Sequence, residues 1–398
     1  MYTCDLKDAL LNGAIGLYLF ATLVWGNMSS TRIIYYASAA ILTVVVILLR
    51  IRTHKVHYRK YYASYAFLLL ISILSGLSVD QSNTIEQCVS ISLNFLFASA
   101  VINTVVERKQ SSNYLKVICV VGIMMSIYVL IVEGVEKRLG SIFYGQRLGK
   151  NIGNENVLGY FAVLSTVIAM YYIRYLKRKV FYLALPINVF IVFATGSRMA
   201  IVLLLVGGVG IFAINMSYRN VLIVTGRIVF VIGLLLIILN IPVFQSAKAR
   251  LYELINLFGG KTSDRSLSNR KIMLERGIAS FLGSPFKGVG LGNTGSLLSS
   301  YMKKEYFYLH NNYIELLASI GVFGFLAYYS VYYLGLRNVI QSDQGTPLEK
   351  KLVIMLMVLS LLNDISNVTY YRSLTYFLLY MPFTFKGVYR RKIGLLNR

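Results

Sequence analysis

The chain has 398 residues, 57% of them hydrophobic and only 14% charged, against roughly 45–50% apolar and about 25% charged in an ordinary soluble domain. With a mean hydropathy of +0.63, it cannot be a soluble globule. Lys and Arg number 40 against 16 Asp and Glu, a net charge of +24. In a soluble protein that excess would suggest nucleic acid, but in a membrane protein much of it marks loops held in the cytoplasm, so it has to be divided loop by loop.

A bilayer core about 30 Å thick takes roughly 20 apolar residues per helix. About twelve stretches qualify: 9–25, 33–49, 61–79, 87–106, 114–133, 156–174, 179–195, 199–214, 221–240, 313–334, 350–368 and 373–388. They lack the period-two alternation of a membrane barrel, which predicts an all-α polytopic protein. Asp5, Lys7 and Asp8 precede the first stretch in place of a basic leader, so it reads as a retained helix and not a signal peptide. Cys4, Cys88 and Cys119 are isolated, and neither a disulfide framework nor a zinc site follows from them.

With both termini in the cytoplasm, 22 of the 40 basic residues fall on that side, as the positive-inside rule requires of an even span count. Arg227 lies near the inner end of a span, where it snorkels. The other 17 are external: ten in the long segment 241–312, four in 134–155, and Arg32, Arg198 and Arg372. A long segment translocates regardless of charge, but Arg147, Lys150 and Arg198 sit in short outer loops that disfavour it. They point to an anionic partner at the outer face or to anionic headgroups.

The chain thus reads as a single membrane domain over 1–398 with one large extracytoplasmic loop, 241–312, between spans nine and ten. Leu251, Leu254, Ile255 and Phe258 have the spacing of an interfacial helix. A second stripe is Leu274, Ile278, Phe281 and Leu282; Arg270 extends it N-terminally, facing the membrane or the protein, and Ser268 is a plausible cap. Residues 290–295, GLGNTG, match the dinucleotide fingerprint formally, but no strand precedes them and no βαβ unit surrounds them. They read instead as a tight loop offering backbone N–H groups to an anion.

His54 and His57 belong to a basic cytoplasmic loop and read as solvated surface. His310 sits at the outer boundary of the tenth span in YLHNNYIE. A histidine of ordinary pKa is mostly neutral at pH 7, the form a general base needs, although a boundary histidine alone reads equally as a polar anchor.

Segment 268–330 combines an arginine, an amphipathic helix, the turn PFKGVGLG, and then HNNYIE followed by GVFG. It resembles the signature of bacterial O-antigen polymerases and O-antigen ligases. Arg147-Leu148-Gly149 leading to GNENVLGYF at 153–161, and ATGSR at 194–198, match it as well, so the likeness covers roughly 145–335 in order. Where the family often has GNPN, this chain has GNEN at 153–156.

The resemblance implies a glycosyltransferase of the GT-C class acting at the outer face of the bacterial plasma membrane. It implies transfer of a glycan from polyprenyl diphosphate to a sugar hydroxyl, without metal, nucleotide sugar or other cofactor. In this chain Arg198, Arg270 and Arg147 would hold the diphosphate and His310 would accept the hydroxyl proton, with Asn311, Tyr313, Glu315 and Asn156 supporting them. Gly321 and Gly324 would permit close packing. Partners would be the lipid-linked donor and acceptor, the bilayer, a flippase and a chain-length regulator, and no nucleic acid. A polymerase joins two lipid-linked repeats, whereas a ligase moves the glycan to a different acceptor; the motifs leave both open. A lipid-linked oligosaccharide flippase would instead show ionisable residues at mid-membrane, where the spans hold mainly Arg227 and Asp364.

Overall fold

The computed structural model describes residues 5–26, 31–50, 59–76, 80–133, 147–149, 152–215, 221–241, 244–258, 265–299 and 308–385. These are helical throughout, without strands. In chain order the helices are α1 Leu6–Val24, α2 Arg32–Arg50, α3 Arg59–Gly76, α4 Gln81–Glu107, α5 Ser111–Glu133, α6 Glu155–Leu176, α7 Ala184–Ala194, α8 Arg198–Ala213 and α9 Val221–Leu239. They continue with α10 Gln245–Phe258, α11 Arg265–Gly283, the short α12 Ser296–Ser299, α13 Asn312–Gln341, α14 Pro347–Asn363 and α15 Ser373–Leu379.

Among the described residues, α1, α2, α4, α5, α6 and α13 are long and apolar enough to cross a membrane. Each of the other expected stretches also contains helix. The last is much shorter than read from sequence: α15 ends at Leu379 and continues only as a 3-10 turn over Met381–Thr384. Pro382 cannot supply an amide hydrogen to prolong the helix, and seven residues rise only about 10 Å. The stretch 179–195 likewise opens as a 3-10 turn, Lys179–Leu183, before α7. His54 and His57, Cys4, and the side chain of Arg227 lie outside the described set.

α6 is the most completely buried span and packs on α5, α7 and α8. Large apolar side chains are left outside the core, among them Ile33, Ile47 and Leu48 on α2 and Phe230 and Ile237 on α9. Lipid tails satisfy such faces, whereas water would not.

Side-chain bonds sort the helix ends into two sets. At one end Arg108 binds Asp5 and Asp8, Ser112 donates to Glu349, and the Lys351 ammonium donates to the Ile214 carbonyl at 2.9 Å. At the other, Asn293 bonds Asp80 and Thr84, Arg147 bonds Thr195, Arg198 bonds Arg250, and Asn312 bonds Asp364. Loops that alternate along the chain therefore share an end, the arrangement that back-and-forth spans require.

α13 is broken at Gly321, whose φ of 67° and ψ of −173° no side chain tolerates comfortably. The break admits the segment Pro285–Gly290 as a strap: Val322 N–H donates to the Pro285 carbonyl, and Val289 and Gly290 N–H donate to the carbonyls of Ala318 and Ser319, at 2.8–2.9 Å. Gly288 lies against Ser319 so closely that a Cβ would stand 2.4 Å from its carbonyl. Gly321 thus does serve close packing, against a loop backbone and not a neighbouring helix. Gly321→Ala is expected to cost roughly 1–3 kcal/mol in backbone strain, because its Cβ would also meet the Phe286 carbonyl at 2.5 Å. A thermal unfolding midpoint in detergent equal to wild type would contradict this lock.

Candidate functional site: an arginine cluster beside His310

Asn154 begins the site by capping α6, its Oδ1 accepting from the N–H groups of Asn156 and Val157. Glu155 is therefore the first helical residue, a position that suits proline and acidic residues alike. GNEN consequently builds the same helix start that GNPN would, and adds a carboxylate. Arg147 folds onto this start: Nη1 lies 3.6 Å from Glu155 Oε1, Nη2 donates to Asn156 Oδ1 at 3.0 Å, and Nε donates to the Thr195 carbonyl at 2.6 Å. Leu148 N–H donates to the Ala194 carbonyl at 2.9 Å, joining the two upstream motifs.

Gly196 lies between two arginines. Its φ of +58° turns the chain between α7 and α8, and a Cβ there would touch Arg147 Cγ at 3.4 Å and Arg250 Cδ at 3.8 Å. Arg250 Nη1 donates to the Gly196 carbonyl at 3.1 Å, and Arg198 Nε donates to the Arg250 carbonyl at 2.9 Å. Ser197 caps α8 and leaves Arg198 at its first position, so a guanidinium adds to the positive end of the helix dipole. Burial lowers Arg147 to about 10 against the pull of Glu155, and Arg250, Arg270 and Arg198 push the same way. Arg147, Arg198, Arg250 and Arg270 thus form one cationic cluster.

Arg270 stands on α11, but not on the stripe read from sequence. The buried residues of α11 are Leu267, Met273 and Gly277, and half-buried Arg270 shares their face, against α13. Leu274, Ile278 and Leu282 are 38%, 39% and 71% exposed. That outer stripe continues into exposed Phe286, stacked on Phe323 of α13 at 5.7 Å. Ser268 is not the cap, because the helix already runs from Arg265 with Leu267 anchored in the core.

His310 occupies the left-handed region, φ +57°, uncommon for a residue with a side chain. Both neighbours fix it there. Leu309 N–H donates to Glu315 Oε2 at 2.7 Å, while Asn311 caps α13 through Ile314 N–H at 3.0 Å and donates to the Ile365 carbonyl. Glu315 is buried and also accepts from Thr294 Oγ1, tying His310 to the glycine-rich loop. Tyr313 donates to the Leu361 carbonyl at 2.8 Å and stacks on Tyr329. Asn311, Tyr313 and Glu315 therefore position the turn. The imidazole packs edge-on to Tyr308, 4.5 Å between centroids. Burial, then the charges of Arg270 and Arg372, lower the imidazole from 6.5 to about 4. His310 is neutral at pH 7.

Gly288, Val289 and Gly290 use their N–H groups on Ser284, Ala318 and Ser319, so the glycine-rich loop does not offer these groups to an anion as expected from sequence. Asn293 instead locks the loop to the start of α4, donating to the Asp80 carbonyl and to Thr84 Oγ1 at 3.1 and 3.2 Å. Among the described residues no cluster of His, Cys, Asp and Glu is arranged to hold a metal.

Arg250, Arg372 and Asn312 escaped the sequence reading. Arg250 follows Ala247 by three residues and precedes Leu251, both of which turn inward, so periodicity carried a signal. Arg372 obeyed the same rule that singled out Arg198, a lone cation in a short outer loop. Asn312 carried none. It is fully buried: Oδ1 accepts from Thr369 and Tyr370 N–H, and Nδ2 donates to Tyr329 and Asp364, setting the distance between the His310 turn and Arg372.

Residues 181–329 match the family model described as O-antigen ligase, Wzy_C. The match supports the O-antigen ligase and polymerase family, as the motifs implied. Gly196, Arg198, Arg250, Arg270, His310 and the α13 break lie inside it, whereas Arg147, Asn156 and Arg372 lie outside. No curated protein matches the chain.

Two outcomes test this geometry. In an NMR titration of ¹³C-labelled histidine, with His54 and His57 replaced, His310 is expected to titrate near pH 4 and to move upward in Arg372→Gln; a midpoint at 6.5 contradicts its burial between the arginines. Since the unfolded chain binds that proton below pH 6.5 and the folded chain only below about 4, His310 makes the fold less stable as pH falls through this window. Asn312→Ala leaves buried partners unpaired at about 1–3 kcal/mol each, and a melting midpoint unchanged from wild type would show that Asn312 bears no such weight.

Proposed function

We propose that the chain is a polysaccharide polymerase that transfers a glycan from polyprenyl diphosphate to a sugar hydroxyl of another lipid-linked repeat unit, at the outer face of a bacterial plasma membrane. The observation that carries this reading is the convergence of Arg147, Arg198, Arg250 and Arg270 beside a neutral His310 at one end of the bundle. A lipid diphosphate lies at headgroup depth, so its binding groups belong at a helix end and should be cationic. Guanidinium meets phosphate oxygens in pairs and keeps its charge when partly buried.

In the proposed step the acceptor hydroxyl oxygen attacks the anomeric carbon while the bond from that carbon to the diphosphate oxygen breaks. The hydroxyl proton passes to His310, and the electron pair leaves on the diphosphate, where the arginine cluster meets the new charge. A single displacement of this kind inverts the anomeric centre. The leaving group is already activated and its charge already met, so the proposed route calls for neither nucleotide nor metal.

A ligase, moving the glycan to a different acceptor, would use the same leaving group and the same residues. The polymerase is preferred because the segment 241–312 is compact and supplies no separate acceptor-binding domain. Purified protein given lipid-linked repeats alone separates the two: a ladder of products means polymerase, and none without an added acceptor means ligase. His310→Ala is expected to lower turnover by about 10²–10⁴ and Arg270→Ala by about 10²–10³, with both variants still inserted. Wild-type polymer from His310→Ala would remove the general base from the mechanism.

A further inference from the structure

His310 has a second cationic neighbour. Arg147 feels Arg198, Arg250 and Arg270, while His310 feels Arg270 and Arg372. The imidazole thus lies within reach of one arginine of the cluster, Arg270, and of Arg372 outside it. Arg372 opens α15 and places its guanidinium 5.7 Å from the ring centre of Tyr371. Among the described residues no carboxylate pairs with it, and its buried Nε lacks a hydrogen-bond partner. A buried donor without an acceptor costs about 1–3 kcal/mol, more when charged, so an unmet one beside a cavity calls for a ligand.

There is such a cavity. About 570 Å³ opens between the end of α1, Tyr35 of α2, the turn 152–157 and Tyr371–Leu374. A smaller pocket beneath it shares Arg372 and reaches Asn156 and Asp364. The larger volume falls in the range of small-molecule sites, about 300–1,000 Å³. Tyr35 and Tyr371 supply aromatic faces for sugar rings, and Asn154 and Ser373 supply hydrogen-bonding groups. Its charged lining residues are Glu155 and Arg372, and Glu155 is already matched by Arg147 at 3.6 Å. The cavity is left with one uncompensated positive charge.

We infer that this cavity receives the acceptor glycan and that Arg372 selects a sugar bearing a carboxylate there. The inference rests on the proposed transfer reaction only in naming the occupant an acceptor: Tyr371 in the cavity wall lies 6.5 Å, ring to ring, from Tyr308, which packs on the His310 imidazole at 4.5 Å, so a sugar held here extends toward His310. Arg372 is then a specificity residue, made for an acidic sugar and poorly served by a neutral one.

The test is a binding measurement that needs no turnover. Detergent-purified full-length protein is titrated with disaccharides ending in gluco-, galacto- and mannuronic acid, each paired with its uncharged carboxamide. Wild type is expected to bind at least one acid about tenfold tighter than its amide, the worth of a charge-assisted hydrogen bond. Arg372→Gln should abolish the preference and Arg372→Lys should keep part of it. No preference in wild type, its survival in Arg372→Gln, or its complete loss in Arg372→Lys would each overturn the inference. His310→Ala separates this claim from the reaction itself. It should keep the preference while its turnover falls, whereas preference in a wild-type protein that yields no product with or without an added acceptor would sink the reaction and leave the binding site standing.

Discussion

Like-charge repulsion is the constraint around which this end of the molecule is organised. Arg198, Arg250 and Arg270 sit close enough to Arg147 to push its protonation down, with Glu155 as the carboxylate facing it. Backbone carbonyls hold the rest in place. Thr195 and Gly196, at the negative C-terminal end of α7, accept from Arg147 and Arg250, and the Arg250 carbonyl accepts from Arg198. Oxygen dipoles orient guanidinium groups without cancelling their charge.

His310 is held by a different device. His310 sits in an uncommon backbone conformation because Glu315, Asn311 and Asn312 leave its turn no alternative. Glu315 passes the constraint to Thr294 and the glycine-rich loop, and that loop is fixed to the broken α13 and to the start of α4. Local strain persists where surrounding contacts over-determine it, and such places are commonly functional. Two glycines outside the nucleotide-like fingerprint serve backbone-to-backbone docking: a Cβ at Gly288 or Gly321 would collide with the opposing chain.

Hydropathy and charge bias are properties of neighbouring residues, and so the helical class, the apolar stretches and the odd positions of Arg147, Lys150 and Arg198 could be read from the chain alone. The motifs around His310 and Arg270 were legible for the same reason. Periodicity alone left open whether the α11 stripe faces the membrane or the protein. The stripe of Leu274, Ile278 and Leu282 is the more apolar side of α11, yet the helix buries Leu267, Met273 and Gly277, since small Gly277 admits the side chains of Leu309 and Ile314. Apolar stripes in a membrane protein have two solvents to choose from, lipid and core, and sequence does not distinguish them.

By itself, then, the sequence determined the solvent, the helical class and the residue types that chemistry on a lipid diphosphate would call for. Only the tertiary structure decided that Arg250 joins the cluster, that the charge of Arg372 reaches His310, that Asn312 joins the two turns, and that the glycine loop's N–H groups at 288–290 are occupied. Each of these depends on groups far apart in the chain, Arg250 with Gly196 and Asn312 with Asp364, brought together by packing whose register no local pattern encodes. The net charge of +24 has the same division. Its sidedness is local and readable, while its concentration around one histidine is a consequence of the fold.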